Sequence, residues 1–119
     1  MRYDQNNIFA KILKGKLPCN KVYEDEFSLA FYDINPLAPV HVLVIPKGKY
    51  VSQTDFSKKA PPELIEGFSR AIGHVAEILG LEVRGYRVIS SIGKEGGQVV
   101  PHLHYHILGG KPLGPMLVN

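Results

Sequence analysis

Cysteine is almost missing from this chain: Cys19 stands alone among 119 residues. One cysteine excludes an internal disulfide and a CxxC zinc site, and it fits a reducing, cytoplasmic setting. Long apolar runs are missing too. The longest are of strand length, so no transmembrane helix is expected. Met1–Asn7 has no apolar run behind it, so no secretory signal is expected either. A large excess of one charge is lacking too: the net charge is +3, which favours an anionic small molecule over a nucleic-acid surface or a membrane. Repeats and low-complexity tracts are absent. With 45% hydrophobic and 21% charged residues, the chain is expected to form one domain over 1–119 with a real core. Its last stretch, 109–119, reads as an irregular tail.

What is present follows two periods. Ile8, Phe9, Ile12 and Leu13 recur at helical spacing behind Asn6 or Asn7 as cap, with Gly15 as the stop. Lys21–Glu24 and Ser28–Ile34 read as a hairpin around Asp25-Glu26. His41–Ile45 is almost continuously apolar, as in a central strand buried on both faces. Residues 49–60 are polar and read as irregular. A long helix follows from Pro61-Pro62 to Gly80, with Leu64, Ile65, Phe68, Ala71, Ile72, Val75, Ile78 and Leu79 as its stripe. His74 lies off that stripe and reads as solvent-facing. Tyr86–Ile92 is a fourth strand, and a glycine turn leads to a fifth. The order of helix, three strands, helix and two strands predicts an α+β domain on a five-stranded antiparallel sheet with two helices.

The fifth strand carries the chemistry. In Pro101–Leu108, His102, His104 and His106 alternate with Leu103, Tyr105 and Ile107, and period-two alternation predicts a row of imidazoles on one strand face. Any one of them could be a satisfied core histidine; three in a row are harder to explain that way. One possibility is a metal site. His102 and His106 stand about 13 Å apart along a strand, too far for both to reach one zinc easily. Two from the row plus His41 or Asp33 would be the remaining ligand set. The alternative is catalysis, in which one ring attacks while its other nitrogen is fixed by a hydrogen bond. His104, with a histidine on each side, is best placed for that role.

The glycine turn bears on the choice. Gly93, Gly96 and Gly97 permit backbone conformations in which amides converge on an anion, although a tight turn alone accounts for one or two glycines. Beside a histidine row the combination suggests phosphoryl or nucleotidyl transfer without a metal. Asp33 could accept hydrogen bonds from two vicinal hydroxyls, as on a ribose. Phe9, Ile12, Phe31, Ile34 and Leu43 could wall a flat slot, and they serve equally well as core residues.

These residues resemble the histidine triad (HIT) family, and specifically its Hint branch. The match to H-x-H-x-H is complete at His102, His104 and His106, with Ile107 and Leu108 after it. Ile8-Phe9, Ala30–Pro36, Ala38–Lys47, Gly85–Arg87 and Gly96–Gln98 are also similar to Hint segments. The resemblance implies a homodimer whose two sheets join into one, with two nucleotide sites. It implies that His104 is the nucleophile, His102 orients it, His106 contacts the phosphate and His41 joins their network. By the same resemblance Asp33 holds the ribose. Phe9, Ile12, Phe31, Tyr32, Ile34 and Leu43 form the purine pocket, and Gly97, with Gln98, belongs to the phosphate loop.

Two positions depart from the pattern. Ser91 stands where Hint relatives usually carry Asn and the Fhit branch Gln, and Val99 stands where a Ser or Thr commonly touches the phosphate or leaving group. Serine can still donate a hydrogen bond; the valine side chain cannot. The tail also lacks the tryptophan of some Hint proteins, whereas Gly109-Gly110 favours Hint over Fhit. The expected function is hydrolysis of purine nucleoside 5'-phosphoramidates of the AMP or GMP class, or of aminoacyl-adenylate-like compounds, through a nucleotidyl-histidine and with no cofactor or metal. The alternatives are a Fhit-like dinucleoside polyphosphate hydrolase and a nucleotide- or partner-binding module with weak activity.

Overall fold

The apolar run around His41–Ile45 becomes the middle of the sheet. In the computed structural model, which describes residues 1–118, strand β3 (Val40–Pro46) lies between β2 (Ser28–Tyr32) and β5 (Tyr105–Gly109). The outer strands are β1 (Lys21–Glu24) and β4 (Arg87–Ile89), giving the order β1-β2-β3-β5-β4. Every neighbouring pair is antiparallel. Hairpin-linked β1 and β2 and the antiparallel β4 and β5 agree with the reading from sequence.

Cross-strand partners share a face, so the register sorts the residues into two layers. Phe31 pairs with Leu43, and Leu43 pairs with His106. Phe31 and Leu43, with Leu29, Ile45 and Phe9, make one apolar layer, and His106 shares its face. Ala30 pairs with Val44, and Val42 with Ile107; these four belong to the second layer, with Phe56, Phe68 and Val75. Helix α1 (Ile8–Leu13) supplies Phe9 to the first layer, while α3 (Pro62–Ile78) covers the second. The long stripe of α3 is thus accounted for, except that Ile78 is half exposed. His74 is exposed, edge-on to Tyr23.

Several expectations need correction. Residues 49–60 are not irregular throughout: α2 (Gln53–Lys59) is capped by Ser52, whose side chain accepts from the Asp55 amide. Only Phe56 of that helix is buried, so the segment had no apolar stripe to reveal it. The glycine turn contains a single helical turn, α4 (Gly93–Gly96), so there are four helices among the described residues rather than two. The second strand stops at Tyr32 rather than Ile34, and the fourth is only three residues long. Strand β5 runs through Gly109, the expected start of the tail. Asn119, the last residue of that tail, lies outside the described residues.

The largest correction concerns the histidine row. His102 and His104 precede β5, and only His106 lies on it. Residues 102–104 are held by other partners: the Leu103 amide donates to the Tyr50 carbonyl at 2.7 Å, and His102 Nε2 donates to the Pro46 carbonyl at 3.0 Å. That anchoring to the exit of β3 takes the place of a sheet ladder. Among the described residues, no helix is long and apolar enough to cross a membrane.

Candidate active site

A cleft of about 710 Å³ opens on the layer that holds Phe9, Phe31 and Leu43. The structure brings most of the predicted residues to it. His41, His104 and His106 line it, together with Phe9, Ile12, Phe31, Tyr32, Asp33, Ile34 and Leu43, and with Ser91, Gly97 and Val99. Ile34 and Val99 are each 87% exposed and form part of the rim. Two predicted residues do not reach the cleft. His102 is wholly buried behind it. Gln98 turns its side chain into the protein, accepting from the Gly93 amide and donating to the carbonyls of Val51 and Val100.

The hydrogen bonds decide which ring nitrogens carry protons. His104 Nδ1 faces the His102 carbonyl at 2.7 Å. A carbonyl can only accept, so Nδ1 carries the hydrogen and the neutral ring leaves Nε2 with a free lone pair. The Ser90 hydroxyl donates to the His104 carbonyl at 2.8 Å, fixing the backbone beneath that ring. Phe9 packs edge-on against His104 with centroids 5.0 Å apart.

The second pair is set in the same way. The Leu37 amide donates to His41 Nδ1 at 3.0 Å. His41 Nε2–H therefore donates to His106 Nδ1, 2.9 Å away. That in turn leaves His106 with Nε2–H as its one free donor. Asp33 Oδ2 lies 3.5 Å from His41 Nε2, and Asp33 Oδ1 accepts from the Asn35 amide. Two backbone groups, the His102 carbonyl and the Leu37 amide, thus set opposite tautomers on His104 and His106.

The four imidazoles, with His41, His102 and His104 buried and His106 partly buried, all favour the neutral form. Burial pushes His102 down to about 4, against the pull of the Pro46 carbonyl. It pushes His106 to about 4 as well, helped by His104 and His41. His41 and His104 are lowered by the same cause, with the Asp33 charge opposing the shift. The metal alternative survives only in part. Donor atoms of Asp33, His41 and His106 lie within 4.8 Å of one another, but an ion there would have to replace the bond between the two histidines.

The glycine loop differs from a cradle built from all its amides. Gly97 adopts φ 81° as the helical cap, and its amide donates to Gly93 and Lys94 carbonyls. The Gln98 amide also returns to the Gly93 carbonyl, at 2.9 Å. Among the described residues, the Val99 and Val100 amides meet no acceptor, and both residues line the cleft. Reading the sequence missed Val100 and Ser90, and it missed Tyr3, whose hydroxyl lies 2.7 Å from His102 Nδ1. No spacing in the sequence marks any of these three.

Comparison with known proteins points to one family. A sequence profile described as the HIT domain matches residues 14–113. An uncharacterized HIT-like protein of Azospirillum brasilense is 54% identical over 117 residues, or 98% of this chain and 96% of that protein. The purine nucleoside phosphoramidase of Escherichia coli K12 is 40% identical over 115 residues, or 97% of this chain and 96% of that enzyme. Among solved structures, a histidine triad protein from Clostridium difficile matches with a TM-score of 0.84 at 43% identity, covering 96% of this chain and 98% of that one.

Proposed function

Since the chain belongs to the HIT domain family, we propose that it hydrolyses purine nucleoside 5'-phosphoramidates through a covalent intermediate on His104. One observation carries this reading: His104 has Nδ1–H on the His102 carbonyl and an unprotonated Nε2 beside a nucleotide-sized cleft. The named activity of the Escherichia coli relative supports the choice of substrate class.

In the first step the Nε2 lone pair of His104 attacks phosphorus and the phosphorus–nitrogen bond to the amine breaks. The amine takes up a proton from solvent as it leaves. The adduct places positive charge on the His104 ring, and the His102 carbonyl stabilises it through Nδ1–H. His106 donates Nε2–H to a phosphoryl oxygen. Water then attacks phosphorus and gives up a proton to solvent, the bond to His104 breaks with its electron pair returning to Nε2, and the nucleoside monophosphate departs. His41 holds His106 in its donor tautomer, and Asp33 accepts from the ribose hydroxyls. Phe9, Ile12, Phe31, Tyr32, Ile34 and Leu43 enclose the purine. Gly97 shapes the phosphate loop, Ser91 offers a hydroxyl, and Val99 contributes its amide in place of a side-chain donor.

We assign residues 1–119 to one HIT domain, acting as a homodimer without cofactor or metal in the cytoplasm, a compartment that suits the unpaired Cys19. The dimer reading rests on β4, a bare edge strand on which Val88 and Ile89 are about two-fifths exposed at 40% and 39%. Such edges favour pairing with another chain. The test is release of AMP from adenosine 5'-phosphoramidate and from diadenosine polyphosphates, with and without chelator. The phosphoramidate should be cleaved faster, the chelator should have no effect, and His104→Ala should lower the rate by at least about 10³-fold. Release of AMP from neither compound sinks the hydrolase, and activity surviving in His104→Ala sinks the nucleophile.

A further inference from the structure

His102 makes three hydrogen bonds without being exposed at all. Its Nε2–H donates to the Pro46 carbonyl at the end of β3, and its own carbonyl accepts from His104. Its Nδ1 is therefore a bare acceptor, and a buried acceptor left without a donor is costly. The donor it has is the Tyr3 hydroxyl at 2.7 Å, with the two rings 5.5 Å apart. Tyr3 belongs to no element of the sheet. It sits on an arm fastened to α1 by a double turn: the Asn7 amide and side chain both donate to the Asp4 carbonyl. Asn7 in turn caps α1 through Ala10.

We propose that Tyr3 is a positioning residue for His104: its hydroxyl pins the His102 ring, and the pinned residue aims its carbonyl at His104 Nδ1. The inference rests on the reading of His104 as nucleophile. A phenol that donates to Nδ1 stabilises neutral His102 and restrains the ring from the side opposite Pro46. Without that hydroxyl the ring is held at one nitrogen only, and a proton can occupy the other more easily. The groups facing the ring are Tyr3 from the arm, Phe9 from α1 at 6.3 Å, the Pro46 carbonyl from β3 and the neighbouring His104. Among the described residues no carboxylate faces it.

Tyr3→Phe in the full chain removes the hydroxyl, and with it the approach of the Asn7 side chain to that oxygen, while keeping the ring. Steady-state hydrolysis of adenosine 5'-phosphoramidate should show kcat lowered by about 3- to 10-fold, the size of one neutral hydrogen bond, with KM unchanged. Nitrogen NMR of the imidazoles should show the His102 midpoint raised, because the neutral form has lost its donor. Both changes are required. A lower kcat with an unmoved His102 midpoint means a merely structural contact and overturns the proposal, as does a moved midpoint with unchanged kcat. Should the wild-type protein cleave no phosphoramidate, the hydrolase reading fails. The NMR titration still decides the bond between Tyr3 and His102: an unmoved midpoint removes it.

Discussion

At the scale of single residues, the site depends on backbone groups more than on acidic partners. The His102 carbonyl and the Leu37 amide present one acceptor and one donor to imidazoles that would otherwise be free to choose a tautomer. The result is a ring that can attack, His104, beside a ring that can donate, His106, both uncharged. Burial keeps them so: His106 titrates at about 4, and His104 lies below the ordinary histidine range. On the proposed mechanism, protonating His104 removes the attacking lone pair, so activity should fall with acid. Because the midpoint is depressed, kcat/KM for the phosphoramidate should stay level from neutrality down to about pH 6.5 and fall only below it. A pH–rate profile with its acid midpoint above 6.5 would mean that His104 is not held neutral by its surroundings.

At the scale of elements, the site stands or falls with α1. This helix has six residues, too few to persist alone, yet it carries Phe9 against both His104 and Phe31. Its N-terminus depends on Asn7, which is buried and accepts from the Ala10 amide at 2.9 Å. Asn7→Ala should lower stability by about 1 kcal/mol, read from urea denaturation. It should also raise KM for the nucleotide, since Phe9 is no longer held against the cleft. Unchanged KM with lowered stability would detach α1 from binding. Elements of this kind were only partly legible in the sequence. β3 was, because its apolar run must be buried on both faces, and α3 was, because its stripe has helical period. α2 was not, since Phe56 is its only buried residue. The histidine row misled in an instructive way. Alternation placed the three imidazoles near one another, but His102 and His104 are positioned by Pro46, Tyr50 and Ser90 rather than by a pleat. Partners so remote in sequence leave no periodic trace, and Tyr3 leaves none for the same reason.

At the scale of the whole molecule, a site made of buried neutral histidines ties stability to pH. His41, His102, His104 and His106 all have folded midpoints below the ordinary 6.5. Between the folded and unfolded midpoints the unfolded chain binds more protons, so stability rises with pH across that window and falls as acid is added. For His102 the window runs from 6.5 down to about 4. This one residue accounts for about 3 kcal/mol at about 1.4 kcal/mol per pH unit, a large share of the 5–15 kcal/mol typical of a domain. Full stability is present above pH 6.5, and the loss levels off once the folded midpoint is passed. Carboxylates add a second, later stage. Glu24, paired with Lys21 and Lys47, is held at about 2, but its exposed ion pairs contribute little. The unfolding free energy from urea titrations should therefore decline from pH 6.5 toward 4, before the carboxylates protonate in bulk. A stability that is level down to pH 4.5 and then collapses would assign acid unfolding to carboxylates and contradict a neutral, buried His102. A smaller decline should persist in His104→Ala, because His102 remains buried behind the cleft while the contribution of His104 is lost.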